Sequence, residues 1–358
     1  MSDSSRGKST VPPAPTPTGA AAGTAEAEQA AGAPGVIPLV RRFPALASVP
    51  RVHLGAFPTP VMRVNGITTR APLWIKRDDL DAPLCGGNKV RALEYLLAGI
   101  APGDTVLTAG GEGSTHILAT ATMARALGVR TVAVRWRHDM SPSAEIVAGR
   151  ARRLCERIYT ARGAVTGLAA TAVARMFIPA RWIPLGGTTP LAMLGHVNAA
   201  LELAEQVAAG ELPLPRYVVL PLGTGGTTAG LALGFAIAGF DTTVVGVRVV
   251  PRLVGNARRV DTLVRGARDL IERLARTTLP RVPARGIVIE HRYYGGAYGR
   301  VLPAARAAAA ELARAAGIPL DDTYSAKAFA AALDLARRDD GPVLFWLTFG
   351  VPLPAEAT

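Results

Sequence analysis

Residues 216–238 read RYVVLPLGTGGTTAGLALGFAIA. Arg216 to Leu220 is an apolar, β-branched run and predicts a strand. Gly223 to Thr228 predicts a loop, and Ala229 to Ala238 a helix. The same strand–loop–helix order recurs along the chain. Further strands are predicted at Leu73–Lys76, Thr105–Thr108, Thr131–Trp136, Thr242–Val249, Gly286–Glu290 and Pro342–Leu347. Further helices are predicted at Val90–Ile100, Ile117–Leu127, Leu194–Ala209, Leu263–Leu274, Leu302–Ala316 and Ala326–Arg338. Such alternation predicts an α/β fold whose mostly parallel sheet is covered on both faces. Ligands in such sheets bind where the carboxyl ends of strands lead into helices, so the loops are where chemistry is to be sought.

Composition narrows the classes. The chain has 358 residues, 49% of them apolar, which excludes a wholly disordered chain. No apolar run reaches the ~18 residues of a membrane span. Cys85 and Cys155 cannot build a disulfide framework, so a reducing, cytoplasmic setting is expected. The formal charge is +13, but the arginines are scattered and no basic helix face carries stacking aromatics, so no nucleic-acid partner is expected. Residues 1–36 are rich in Pro, Ala, Ser, Thr and Gly and are expected to be a disordered tail without a secretory or transit signal.

Gly86-Gly87-Asn88-Lys89 precedes a predicted helix that Asn88 can cap. Lys89 then lies in the first turn, where the helix dipole disfavours a cation. A lysine eased toward its neutral form is what Schiff-base chemistry needs. In a chain that uses arginine almost throughout, Lys8, Lys76, Lys89 and Lys327 are the only lysines. Guanidinium cannot do amine chemistry, and Lys89 is the strongest candidate of the four.

The loop Gly223-Thr224-Gly225-Gly226-Thr227-Thr228 offers backbone donors, hydroxyls and a helix N-terminus, an anion cradle suited to one phosphate monoester. No Gly-Lys-Ser/Thr follows, and Thr228 replaces the last glycine of a dinucleotide fingerprint. Gly113-Ser114-Thr115-His116 could hold a carboxylate, or be an ordinary helix cap. Tyr298 and Tyr324 could move protons. Thr348, at the end of the last predicted strand, could meet a ring nitrogen. The five histidines show no metal-ligand spacing, so no metal is expected.

Several stretches together resemble a known family. Trp74-Ile75-Lys76-Arg77-Asp78-Asp79-Leu80, Gly86-Gly87-Asn88-Lys89, Ile183-Pro184-Leu185-Gly186-Gly187, Leu194-Gly195-His196-Val197-Asn198, the Gly223–Thr228 loop, Gly296-Ala297-Tyr298-Gly299 and Asp322-Thr323-Tyr324-Ser325 occur in the order seen in the D-cysteine desulfhydrase / 1-aminocyclopropane-1-carboxylate (ACC) deaminase family. The resemblance implies a two-domain, three-layer α/β/α fold of the tryptophan-synthase-β-like type (pyridoxal-phosphate fold type II). It places a larger domain at 37–86 and 184–358 and a smaller inserted one at 87–183. It implies pyridoxal 5'-phosphate as cofactor, a small amino acid as substrate and a homodimer.

Carried over residue by residue, the resemblance makes Lys89 the Schiff-base lysine. Asn88, Gly223, Thr224, Gly225, Gly226 and Thr227 would bind the cofactor, with Ser325 or Thr348 facing its pyridine nitrogen. Ser114, Thr115 and His116 would bind the substrate carboxylate, and Tyr298 and Tyr324 would flank the reacting carbons. Ser325 stands where ACC deaminases carry Glu, which favours α,β-elimination on D-cysteine or a β-substituted alanine over ring opening. Alternatives are ACC deamination, β-replacement, and a cofactor-binding protein with little catalysis.

Overall fold

The computed structural model describes residues 35–350, so the expected disordered tail lies almost wholly outside the described residues. The strands are β1 (Val61–Arg63), β2 (Leu73–Arg77), β3 (Thr105–Gly111), β4 (Arg130–Trp136), β5 (Arg157–Ala161), β6 (Arg181–Trp182), β7 (Tyr217–Leu222), β8 (Thr243–Arg248), β9 (Ile287–Glu290) and β10 (Val343–Leu347). The helices are α1 (Pro38–Arg42), α2 (Asn88–Leu96), α3 (Thr115–Ala126), α4 (Pro142–Leu154), α5 (Ala164–Phe177), α6 (Pro190–Ala208), α7 (Gly226–Ala238), α8 (Ala257–Ala275), α9 (Pro303–Ala316) and α10 (Ser325–Arg338). A six-stranded sheet runs β1-β2-β10-β7-β8-β9, and a four-stranded sheet runs β5-β4-β3-β6. Every neighbouring pair is parallel except β1 with β2. No described helix is long and apolar enough to cross a membrane.

Each sheet is covered on both faces, as the alternating pattern requires. On one face of the larger sheet Phe345 and Val219 pack against Leu312 of α9 and Phe329 and Leu333 of α10. On the other, Leu220, Leu344 and Trp346 meet Leu203 of α6 and Leu231 and Phe235 of α7. The smaller sheet packs Val106 and Ala133 against Leu93 of α2 and Ile117 and Met123 of α3. Leu107 and Val134 face Ala174 of α5.

The structure departs from the sequence reading at several points. Segment 142–182, read without elements, holds α4, β5, α5 and β6. Its pattern is weak because Val165, Leu168, Val173, Met176 and Phe177 of α5 are exposed, and β5 is a half-exposed edge strand. The strand predicted at Thr105–Thr108 runs on through Gly110-Gly111, which pair with Arg135 and Trp136. Asn88 does not cap α2: Gly87 is the N-cap residue, and the Asn88 amide Nδ2 donates to Thr227 Oγ1 at 2.6 Å.

A buried ionic cluster fixes how α2 sits on the larger sheet. The Arg91 guanidinium of α2 reaches Asp78 Oδ1 at 2.7 Å and Glu202 Oε2 of α6 at 2.8 Å. Lys76 of β2 reaches Glu202 Oε1 at 2.6 Å and also donates to Gln206. Asp78 accepts from Thr59 and from the Trp346 indole of β10. The Lys76 and Arg91 side chains are 0% and 1% exposed. Burial by itself would raise the pKa of Glu202, but Arg91 and Lys76 overcome it and hold it at about 2. Buried charges cost heavily unless every one is paired. Arg91→Leu should therefore lower unfolding stability by about 3–5 kcal/mol in urea titration, because Asp78 and Glu202 lose their partner. Stability equal to the parent protein would show that the cluster does not hold α2.

Candidate active site

Six of the segments singled out in the sequence open onto one cavity of about 440 Å³. Lys89 from the start of α2 lines it, as do Gly110 and Gly111 at the end of β3 and Ser114, Thr115 and His116 at the start of α3. Gly223 and Thr224 follow β7, and Tyr298 and Tyr324 close the far side. Asn88, Gly225, Gly226, Thr227, Ser325 and Thr348 do not line the cavity. Neither Lys76, in the ionic cluster, nor Lys327, which donates to Tyr294 O at 3.3 Å, lines it either.

Lys89 Nζ donates to the Gly186 carbonyl at 3.2 Å. Burial pushes its pKa down from 10.5 to about 8. Burial does the same to Lys327, also to about 8. Position in the cavity, not basicity, therefore distinguishes the two amines. His116 sits beside Lys89; burial, reinforced by the Lys89 charge, pushes it down to about 3, so it is neutral and its Nε2 bonds Thr108 Oγ1 at 2.9 Å.

Helix α7 begins at Gly226, three residues before the sequence reading placed it. Gly226, Thr227 and Thr228 are thus its first turn, whose N–H groups have no partner within the helix. With the positive end of the helix dipole they form an anion cradle. Thr224, at its edge, is held by Thr188 Oγ1 at 2.6 Å and by Arg259 Nε, which donates to the Thr224 carbonyl at 2.9 Å. Thr188 and Arg259 carried no sequence signal beyond being polar.

Ser114 is the N-cap residue of α3, yet its side chain makes no capping bond. An ordinary cap would use that hydroxyl on the helix; here it lines the cavity. The Tyr298 and Tyr324 hydroxyls bond each other, with ring centroids 5.9 Å apart. Burial raises Tyr298 to about 12 and puts Tyr324 well above 10, so both are protonated near neutral pH. Ser325 Oγ is buried at the start of α10 and has no hydrogen-bond partner among the described residues. The Thr348 carbonyl accepts the Asn88 backbone N–H at 3.0 Å. Gly186, Trp136 and His138 also line the cavity. The sequence reading gave no role to these three: Gly186 lies in the Ile183–Gly187 stretch that carried the resemblance but was assigned no contact, and Trp136 and His138 lie in no motif.

These residues fit pyridoxal phosphate. A buried, weakened amine, an open helix N-terminus and an unpartnered hydroxyl are the donors that an aldehyde, a phosphate and a ring nitrogen call for. The comparisons agree. The family described as pyridoxal-phosphate dependent enzyme matches residues 52–348. The nocardicin C-9' epimerase of Nocardia uniformis subsp. tsuyamanensis is 36% identical over 85% of this chain and 93% of its own. The D-cysteine desulfhydrase of Serratia proteamaculans is 33% identical over 86% of this chain and 96% of its own. The crystal structure of an ACC deaminase homologue superposes with a TM-score of 0.72 at 29% identity, covering 87% of this chain and 95% of that one. This chain belongs to the pyridoxal-phosphate dependent enzymes.

Proposed function

We propose that the enzyme catalyses α,β-elimination on a small amino acid, D-cysteine or a β-substituted alanine, releasing a 2-oxo acid and ammonia. One observation carries the reading: a neutralisable amine, a free cap hydroxyl and a protonated phenol pair border the same cavity. The D-cysteine desulfhydrase relative supports it. When bound, pyridoxal phosphate supplies an aldehyde for the amine and a ring that stores the electrons left by a departing proton.

The chain's own groups do the rest. Lys89 would hold the aldehyde when the cofactor is bound, and its Nζ lone pair would take the substrate's Cα proton. Its pKa of about 8 leaves a useful neutral fraction at the pH of the cell. Ser114 and the start of α3 orient the substrate carboxylate, anion to helix N-terminus. Tyr298 and Tyr324 keep a proton available beside the departing group. Asn88, Gly223, Thr224, Gly225, Gly226 and Thr227 hold the cofactor, with Ser325 or Thr348 toward its ring nitrogen. A serine there holds a ring proton less firmly than a carboxylate, which favours elimination over ring opening.

A second reading is epimerisation at Cα. An amine and a protonated phenol pair in one cavity could remove and return a proton without loss of a substituent, and the relative at 36% identity is named for that reaction. Exchange of the Cα hydrogen with solvent deuterium, without 2-oxo acid, separates it from elimination. The two sheets suggest that 37–86 with 184–358 and 87–183 act as two domains around the cavity, since β3 to β6 all lie in the smaller sheet. A homodimer in a reducing compartment completes the proposal; Cys85 and Cys155 are free, buried thiols.

Lys89→Ala should lower 2-oxo acid release from D-cysteine at least about a thousandfold and abolish the visible cofactor band; retained turnover would remove Lys89 from the chemistry. Because the folded pKa is depressed to about 8, the neutral amine becomes available as pH rises through that value, and cofactor uptake by cofactor-free protein should accelerate through pH about 8. A midpoint at the ordinary lysine value of 10.5 would contradict this. Gly186 has φ +68, and a Cβ there would lie 2.3 Å from Thr224 Oγ1. Gly186→Ala should thus weaken cofactor binding about tenfold or more, read by fluorescence titration; an unchanged Kd would release Thr224 from the phosphate cradle.

A further inference from the structure

His138 follows β4 at the rim of the cavity and has no part in the chemistry above. Its Nδ1 lies 2.7 Å from the Asp139 carbonyl. A carbonyl only accepts, so Nδ1 must carry the proton, and in the neutral ring Nε2 keeps an unshared pair. That Nε2 is buried and has no hydrogen-bond partner among the described residues. The ring also stands edge-on to Tyr298, centroids 4.6 Å apart. Two glycines frame the arrangement. A Cβ at Gly111 would lie 2.8 Å from Nε2, and one at Gly299 would lie 2.7 Å from the Asp139 carbonyl. The backbone thus makes room for an imidazole whose one free polar atom is an acceptor, beside the same cavity as Lys89 and Ser114.

We propose that His138 is a specificity-determining residue whose Nε2 accepts a hydrogen bond from the thiol or hydroxyl of the substrate's β-substituent. The proposal rests on the reading of the cavity as an elimination site. A substrate with a donor at that position gains a hydrogen bond that one without it cannot make, so the two are told apart by that bond. Nε2 takes no proton outright; it orients the Cβ–S or Cβ–O bond, and hydrosulfide leaves with its own hydrogen.

The test compares D-cysteine and D-serine, which carry the donor, with β-chloro-D-alanine, which does not. His138→Phe should raise KM for the first two about tenfold and change KM for β-chloro-D-alanine by less than about twofold, with the visible cofactor band unaltered. His138→Gln, which keeps an acceptor, should recover most of the loss. Nitrogen NMR of the unliganded holoenzyme should show His138 protonated at Nδ1 and bare at Nε2. Equal KM changes for all three substrates, no change for any, or a proton on Nε2 would overturn the proposal while leaving the elimination reading intact. Parent protein that releases no 2-oxo acid from any of the three would overturn both.

Discussion

Arg91 and its two carboxylate partners decide where everything else stands. Asp78 follows β2, Glu202 lies on α6, and Arg91 is on α2, two residues beyond Lys89. Lys76 and the Trp346 indole complete the set from the centre of the larger sheet. Taking these charges out of water is costly, and an arrangement with one partner displaced would leave a bare charge in a dry interior. Few placements of α2 satisfy all of them, so the cluster sets the direction from which the Lys89 amine enters the cavity.

A single cause, burial, then prepares both kinds of proton-handling group. Low dielectric disfavours whichever form is charged. It pushes the Lys89 amine down to about 8 and the Tyr298 phenol up to about 12. The result is a weakly basic amine and two protonated phenols lining one cavity, with no ion pair needed to tune any of them. His116, driven to about 3, stays uncharged and does not compete for protons. The N-termini of α3 and α7 add fixed dipoles that suit anionic groups.

Much of this was legible in the residue order. The strand–loop–helix alternation implied a mostly parallel sheet; the division into two sheets followed only from the family resemblance, and the structure has two. The lysine-poor background drew attention to Lys89, and that amine lies in the cavity with Ser114, Thr224, Tyr298 and Tyr324. What could not be read follows from physics that acts across the fold. Asn88 has the chemistry of a helix cap, but tertiary packing gives it Thr227 as a partner instead. Thr188 reaches Thr224 only after the chain has folded. The apolar residues of α5 face outward, so no helical stripe marked that segment. His138 looked like one scattered histidine among five because its meaning lies in the Asp139 carbonyl and in Gly111, 27 residues earlier.

The central claim is that one particular amine meets the cofactor's aldehyde. Borohydride reduction of the holoenzyme, followed by proteolysis and mass spectrometry, tests it directly. The account predicts a phosphopyridoxyl group on the peptide containing Lys89 and on no other. The same label on Lys327, whose amine is as weakly basic, or on Lys76 would contradict it.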